Sequence, residues 1–169
     1  GEDNLNRALR DFLMQYRYAN AENAQSGPYP DTRLLEAALR AQTPAQLQYF
    51  IDDTFEKITL YDNKAVTATW KQMPDHRFQV DLAVESRKLY ADGQGNETES
   101  PVNEWVDVGV FRGTKNDPQP LYMAKQKMTS KAQHFTMTVA EEPTLAGIDP
   151  YHKLIDPKPD DNLIAVSKQ

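Results

Sequence analysis

The chain contains no cysteine in 169 residues. Disulfides, thiolate metal sites and a Cys nucleophile are therefore excluded. Histidine is nearly as scarce, with three residues in all. His76, His134 and His152 show no i, i+4 pairing of the His-Glu-x-x-His type, and they read as ordinary surface or partly buried side chains. No metal and no cofactor is expected in this chain. Glycine is sparse too, and Gly93-Gln94-Gly95 lacks both a third glycine and a following helix, so it reads as a turn and not a phosphate loop. No run approaches the ~18 apolar residues that a membrane-spanning helix needs, and no signal-peptide pattern is visible. Direct insertion of this chain into a membrane is therefore not expected. With 19 Lys and Arg against 25 Asp and Glu, the formal charge is −6. That balance argues against a general nucleic-acid binder, while leaving room for a local basic patch.

Catalytic constellations are missing as well. Ser26, Ser86, Ser100, Ser130 and Ser167 occur without a Gly-x-Ser-x-Gly setting. The carboxylate pairs Asp52-Asp53, Glu141-Glu142 and Asp160-Asp161 are sequence neighbours whose side chains diverge, and solvated charge explains them. No catalytic residue is expected.

What the chain does have is a change of period. Leu5, Ala8, Leu9, Phe12, Leu13 and Tyr16 recur at helical spacing, with Asp3 or Asn4 as a cap. Gly27-Pro28-Tyr29-Pro30 stops this helix, because proline cannot continue the backbone ladder. Asp31 or Thr32 caps a second helix carrying Leu34, Leu35, Ala38 and Leu39. Thr43-Pro44-Ala45-Gln46 starts a third, with a capping box and a buried stripe of Leu47, Phe50, Ile51 and Phe55.

From Lys57 onward the period becomes two. Ile58, Leu60, Val66, Thr67 and Thr69 alternate around a hairpin turn expected at Asp62-Asn63. Phe78, Val80, Leu82 and Val84 form a half-buried strand, followed by a turn at Asp92–Asn96 and an exposed loop to Ser100. Trp105 to Phe111, Leu121 to Thr129 and His134 to Val139 give further strands, with a polar turn from Gly113 to Pro120. The fold class expected is α+β: about three N-terminal helices, then an antiparallel β-sandwich of about six or seven strands. The boundaries are 1–56 for the helical segment, 57–142 for the sandwich, and 143–169 for an extended Pro/Asp-rich tail packed on the sheet before it frays. Gly1 and the abrupt helical start read as a cut from a longer polypeptide, with 1–56 the end of a larger helical region.

Trp70, Phe78, Trp105, Phe111, Tyr122 and Phe135 lie on these strands, and a sandwich core accounts for them. The alternative is an exposed aromatic strip. Trp105, between Glu104 and Asp107 after a polar loop, is the candidate for it. Trp105, Asn96 and Glu97 are accordingly the expected partner-binding residues, the last two from the 92–101 loop.

Three stretches carry a resemblance: Phe55-Glu56-Lys57-Ile58-Thr59-Leu60-Tyr61-Asp62-Asn63-Lys64-Ala65, then Asp107-Val108-Gly109-Val110-Phe111, then Ala146-Gly147-Ile148-Asp149-Pro150-Tyr151-His152-Lys153-Leu154-Ile155-Asp156 with Pro159-Asp160-Asp161-Asn162. In this order they resemble the C-terminal region of bacterial membrane proteins that join ABC-transporter-permease-like segments to an aminopeptidase-N-type zinc metallopeptidase domain. The zinc motif of that family is not found in this chain, so no catalytic residue carries over. The resemblance implies a non-catalytic accessory domain on the extracytoplasmic (periplasmic) side. Its partner would be the rest of the parent polypeptide, catalytic and transmembrane, with a peptide as the parent's substrate. A reading of a different class is an extracytoplasmic binding module that recognises a protein or carbohydrate through its sheet or the 92–101 loop. Within the tail, Asp149-Pro150 and Asp156-Pro157 enforce extended or turn geometry. Ile148, Tyr151, Leu154 and Ile155 are its expected anchors. Asp160, Asp161 and Asn162 would bind a turn's amide groups or a cation.

Overall fold

The computed structural model describes residues 1–16 and 29–169, which divide into a unit of residues 1–58 and a unit of residues 59–169. Gly27 and Pro28 of the expected helix stop, and Ser26, lie outside the described residues.

The first unit contains α1 (Glu2–Tyr16), α2 (Thr32–Gln42) and α3 (Gln48–Ile51), with a 3-10 turn at Ala45–Leu47 and a π turn at Asp52–Glu56 on either side of α3. α1 starts ahead of its expected caps, and the Gly1 carbonyl accepts the amides of Asn4 and Leu5. Asp31 does cap α2: its Oδ1 accepts the Leu34 amide at 3.0 Å. Thr43 does not open the third helix. Its hydroxyl donates to Leu39 O at 2.7 Å and so closes α2. The Gln48 side-chain Nε2 donates to Arg40 O and Thr43 O, satisfying carbonyls that a helix end leaves open. Of the expected stripe only Ile51 is buried, and Phe50 and Phe55 are exposed, because the mixed 3-10, α and π turns break a single helical face. Arg40 binds Glu36, Asp52 and Glu56 at 2.7 to 2.9 Å and ties α2 to the turn after α3.

The second unit is built on two sheets. The first follows the order β3-β2-β1-β9 with β6 also on β2, and the second the order β5-β4-β7-β8. The strands are β1 (Ile58–Gln72), β2 (Phe78–Ala91), β3 (Glu97–Ser100), β4 (Glu104–Thr114), β5 (Asp117–Met128), β6 (Ala132–Val139), β7 (Leu145–Ile148), β8 (Leu163–Ala165) and β9 (Ser167–Lys168). Val80, Leu82 and Val84 of the first sheet and Val106, Val108 and Val110 of the second share one core, closed by Phe135, Met137 and Ile148. Each set sits at every second position, as one face of a pleated strand requires. The α+β class and its order are as the sequence indicates, with nine strands among the described residues in place of six or seven.

Three local expectations change. Asp62-Asn63 is not a turn: β1 runs through it, and Asn63 is fully buried. Asn63 is held in the strand from two sides, its Oδ1 accepting from Ser86 Oγ at 2.7 Å and its amide donating to Asp156 Oδ2 at 2.9 Å. The turn expected over Gly113–Pro120 shrinks to Lys115-Asn116, so β4 and β5 form one long hairpin. Finally, residues 143–169 supply β7, β8 and β9 as members of both sheets, and β9 pairs in parallel with β1 at Thr69 and Trp70. Tyr151 and Ile155, expected as anchors, are exposed, whereas Ile148 is fully buried.

One end of the shared core is polar. Lys88 Nζ on β2 meets Glu104 Oε1 on β4 at 2.7 Å, with both side chains nearly inaccessible, so an ion pair bridges the two sheets. Thr59, Asn63 and Ser86 are buried at inward positions of β1 and β2.

Candidate binding face around Trp105

Trp105 is placed by the alternation of β4. Val106, Val108 and Val110 point into the shared core. Trp105, Asp107, Gly109 and Phe111 therefore stand on the opposite, outer face of the second sheet. Phe111 is nonetheless buried there, because Leu145, Leu163 and Met123 pack with it and Tyr151 meets its ring edge-on at 6.1 Å. Trp105 has no such cover and is 49% exposed. The expectation that it belongs to the core is thereby corrected. The other aromatics divide: Trp70, Phe111 and Phe135 are buried, and Phe78 and Tyr122 are half-buried against the core.

The register of the hairpin decides what surrounds Trp105. Lys127 lies directly across from it, and Lys125 lies across from Asp107. The Lys127 ammonium sits 5.5 Å from the indole centroid and donates to Asn103 O at 2.7 Å. One row further along the strand, Asp107 accepts from Lys125 at 3.1 Å and from Lys153 at 2.6 Å. Burial alone would raise the Asp107 carboxyl, but the hydrogen bonds from Lys153 and Lys125 outweigh it and hold the group below the usual carboxylate range. The same bond with Asp107 raises Lys153 above an ordinary lysine. The Asp107 side chain is 8% exposed, while those of Lys125 and Lys153 are 61% and 58% exposed. An approaching molecule thus meets ammonium groups, with their counter-charge beneath.

Lys153 reaches this face because of a turn that the sequence shows only in part. Asp149, fully buried with φ of 43°, takes the amides of Lys153 and Leu154 on its two carboxylate oxygens, each at 3.0 Å. Its own amide donates to Asp107 O at 2.7 Å, fastening the turn to β4. Burial raises the Asp149 carboxyl above its ordinary value against the lowering effect of these amides. Lys153 also lies 5.8 Å from the Tyr151 ring.

Asn96 and Glu97 are not part of this face. The stretch expected as an exposed loop is a hairpin whose second strand, β3, pairs with Lys88–Ala91 of the first sheet. Asn96 is used up in its turn, its amide and Nδ2 donating to the two oxygens of Asp92 at 2.9 and 2.8 Å. Glu97 pairs across to Ala91. Beside this hairpin, residues 99–102 and 129–131 line an open groove of about 380 Å³, and its lining residue Glu99 binds Arg87. His76 and His152 occupy turns with positive φ, and His134 lies on β6 opposite Ala83. At Asn162 the backbone carbonyl accepts from the Ile148 amide, whereas its side-chain amide is fully buried with no hydrogen-bond partner among the described residues.

Lys125, Lys127, Asp107 and Lys153 were not singled out from the sequence. A two-residue turn at Lys115-Asn116 would have revealed the first three, since it fixes Lys127 opposite Trp105 and Lys125 opposite Asp107. Nothing local signals Lys153, because a tertiary turn brings it there.

No protein-family model matches the chain, and no curated protein is significantly similar to it in sequence.

Proposed function

We propose that the chain is a non-catalytic accessory domain that recognises another polypeptide through the outer face of its second sheet, with Trp105 at the centre of contact. The observation that carries this reading is the pairing of a half-exposed tryptophan with three lysines, two of which share the buried carboxylate of Asp107. An isolated exposed apolar side chain would need no explanation. Tryptophan is among the residues that dominate binding interfaces, and here it is framed by Lys127 and adjoined by Lys125, Asp107 and Lys153.

The resemblance to the C-terminal region of membrane-anchored, aminopeptidase-N-like proteins adds a context: an extracytoplasmic domain beside a catalytic domain and a permease-like membrane part. The three resembling stretches meet in space. β1 receives the tail, with the Tyr61 amide donating to Ile155 O at 2.8 Å and the Asn63 amide to Asp156. Likewise, Val108–Phe111 pairs with Leu145–Ile148. Strings that carry the resemblance are thus strings that frame the fold. Among the described residues no helix is long and apolar enough to cross a membrane.

The test is direct. The chain, given one equivalent of zinc and an aminoacyl-anilide, is expected to show no turnover and no stoichiometric zinc binding. Zinc bound one to one with measurable hydrolysis would overturn the accessory reading.

A further inference from the structure

The geometry points to the class of partner: we infer that the Trp105 face binds an extended peptide bearing carboxylate side chains, an apolar side chain on Trp105 and an acidic one over Lys125 and Lys153. This rests on the reading of that face as a recognition surface, and it adds the chemistry of the ligand.

Two observations carry it. The first is charge. The protein is acidic overall, at −6. On this face, however, Lys125, Lys127 and Lys153 stand together, and the acids beside them, Asp107 and Asp149, are buried below the ammonium groups. Two ammonium groups share the one Asp107 carboxylate, at 3.1 and 2.6 Å, so neither is matched one to one there. An added carboxylate completes the set by accepting from both ammonium groups.

The second is spacing. Trp105 with Lys127 forms one row across the hairpin, and Asp107 with Lys125 forms another two residues along the strand. Rows two residues apart in a strand are separated by roughly 7 Å. Side chains at i and i+2 of an extended peptide share one face at the same separation, so an apolar-x-acidic sequence matches both rows together. A neutral sugar ring fits less well, because it brings no carboxylate to the two ammonium groups that share Asp107.

The experiment maps backbone amide shifts of the full chain during titration with three probes. These are the peptide Gly-Glu-Gly-Leu-Gly-Glu-Gly with blocked ends, its counterpart with Gln for Glu, and oligogalacturonate as an acidic sugar. The acidic peptide is expected to shift the amides at Trp105, Asp107, Lys125, Lys127 and Lys153 and to weaken with added salt. The Gln peptide should bind roughly tenfold more weakly, and the double substitution Lys125→Gln with Lys153→Gln should abolish that difference. Gln keeps an amide donor toward the Asp107 carboxylate, and an unchanged amide pattern away from this face checks that the double variant is folded. Equal binding of the Gln peptide at these residues would overturn the acidic-ligand inference and leave the face standing. Oligogalacturonate shifting them while the peptide does not would hand the face to an acidic sugar. Silence from all three probes, or shifts confined to the groove at residues 99–102 and 129–131, would overturn both.

Discussion

Trp105 leaves 49% of its surface in water, whereas Trp70 leaves 8% and meets Phe78 edge-on at 5.1 Å. Two residues of one type on strands of one protein should therefore behave oppositely. Trp70→Ala is expected to cost about 3–5 kcal/mol by opening a cavity in the shared core, and urea unfolding reads this directly. Asp149 offers a second test at this scale. Its carboxylate serves two backbone amides from a left-handed conformation, so Asp149→Ala leaves two partly buried amide donors without their acceptor and should cost roughly 1–3 kcal/mol in the same assay. Asp107 and Asp149 also link stability to pH with opposite signs. The folded-state value of Asp107 is lowered, so its stabilisation is present above the ordinary carboxylate range and is lost as pH falls through the folded value. That of Asp149 is raised, so it opposes folding as pH rises through its folded value. The stability gap between wild type and Asp107→Asn should accordingly be largest above about pH 4 and shrink in acid, as urea midpoints across that range will report.

At the scale of elements, the Lys88–Glu104 pair and Gly147 each hold strands together in ways a sequence conceals. Lys88→Met alone strands Glu104 without its ammonium at the inter-sheet end of the core and should cost about 3–5 kcal/mol, while Lys88→Met with Glu104→Leu should cost far less. A double-mutant cycle in urea measures the difference; equal losses in the single and double variants would contradict the buried pair. A Cβ on Gly147 would collide with the backbone carbonyl of Asn162 on the neighbouring segment, which has no rotamer by which to yield. Gly147→Ala should therefore lower the thermal midpoint sharply by parting β7 from β8. β2 and β6 were legible because their faces alternate, whereas β3 was read as loop and the ends of β4 and β5 as turn because their residues are polar and exposed. β1 was misread at Asp62-Asn63 because turn chemistry was counted there, whereas long-range bonds from Ser86 and Asp156 keep the chain extended. The tail strands were illegible for a similar reason: β8 and β9 are too short to show a period, and pairing with distant strands defines them.

Considered whole, the protein is a helical unit of residues 1–58 and a β-rich unit of residues 59–169, and the second owns a complete core. The fragment 59–169 is expected to fold alone with a cooperative thermal transition and the far-ultraviolet signature of β-sheet. The helical unit has few buried apolar side chains, with only Ala8 and Ile51 in its interior among the described residues. Trp105 was legible as the odd aromatic because acids and a polar loop flank it. Its lysine neighbours follow from hairpin register and from a turn closed by Asp149, and neither is written in local composition. The central claim is that Trp105 faces outward to bind and not inward to pack. It is tested most directly by measuring, on the same Trp105→Ala sample, the unfolding free energy and the affinity for the acidic peptide. The account predicts a stability change of about 1 kcal/mol or less together with at least roughly tenfold weaker binding. An unaltered affinity, or a loss of several kcal/mol of stability, would contradict it.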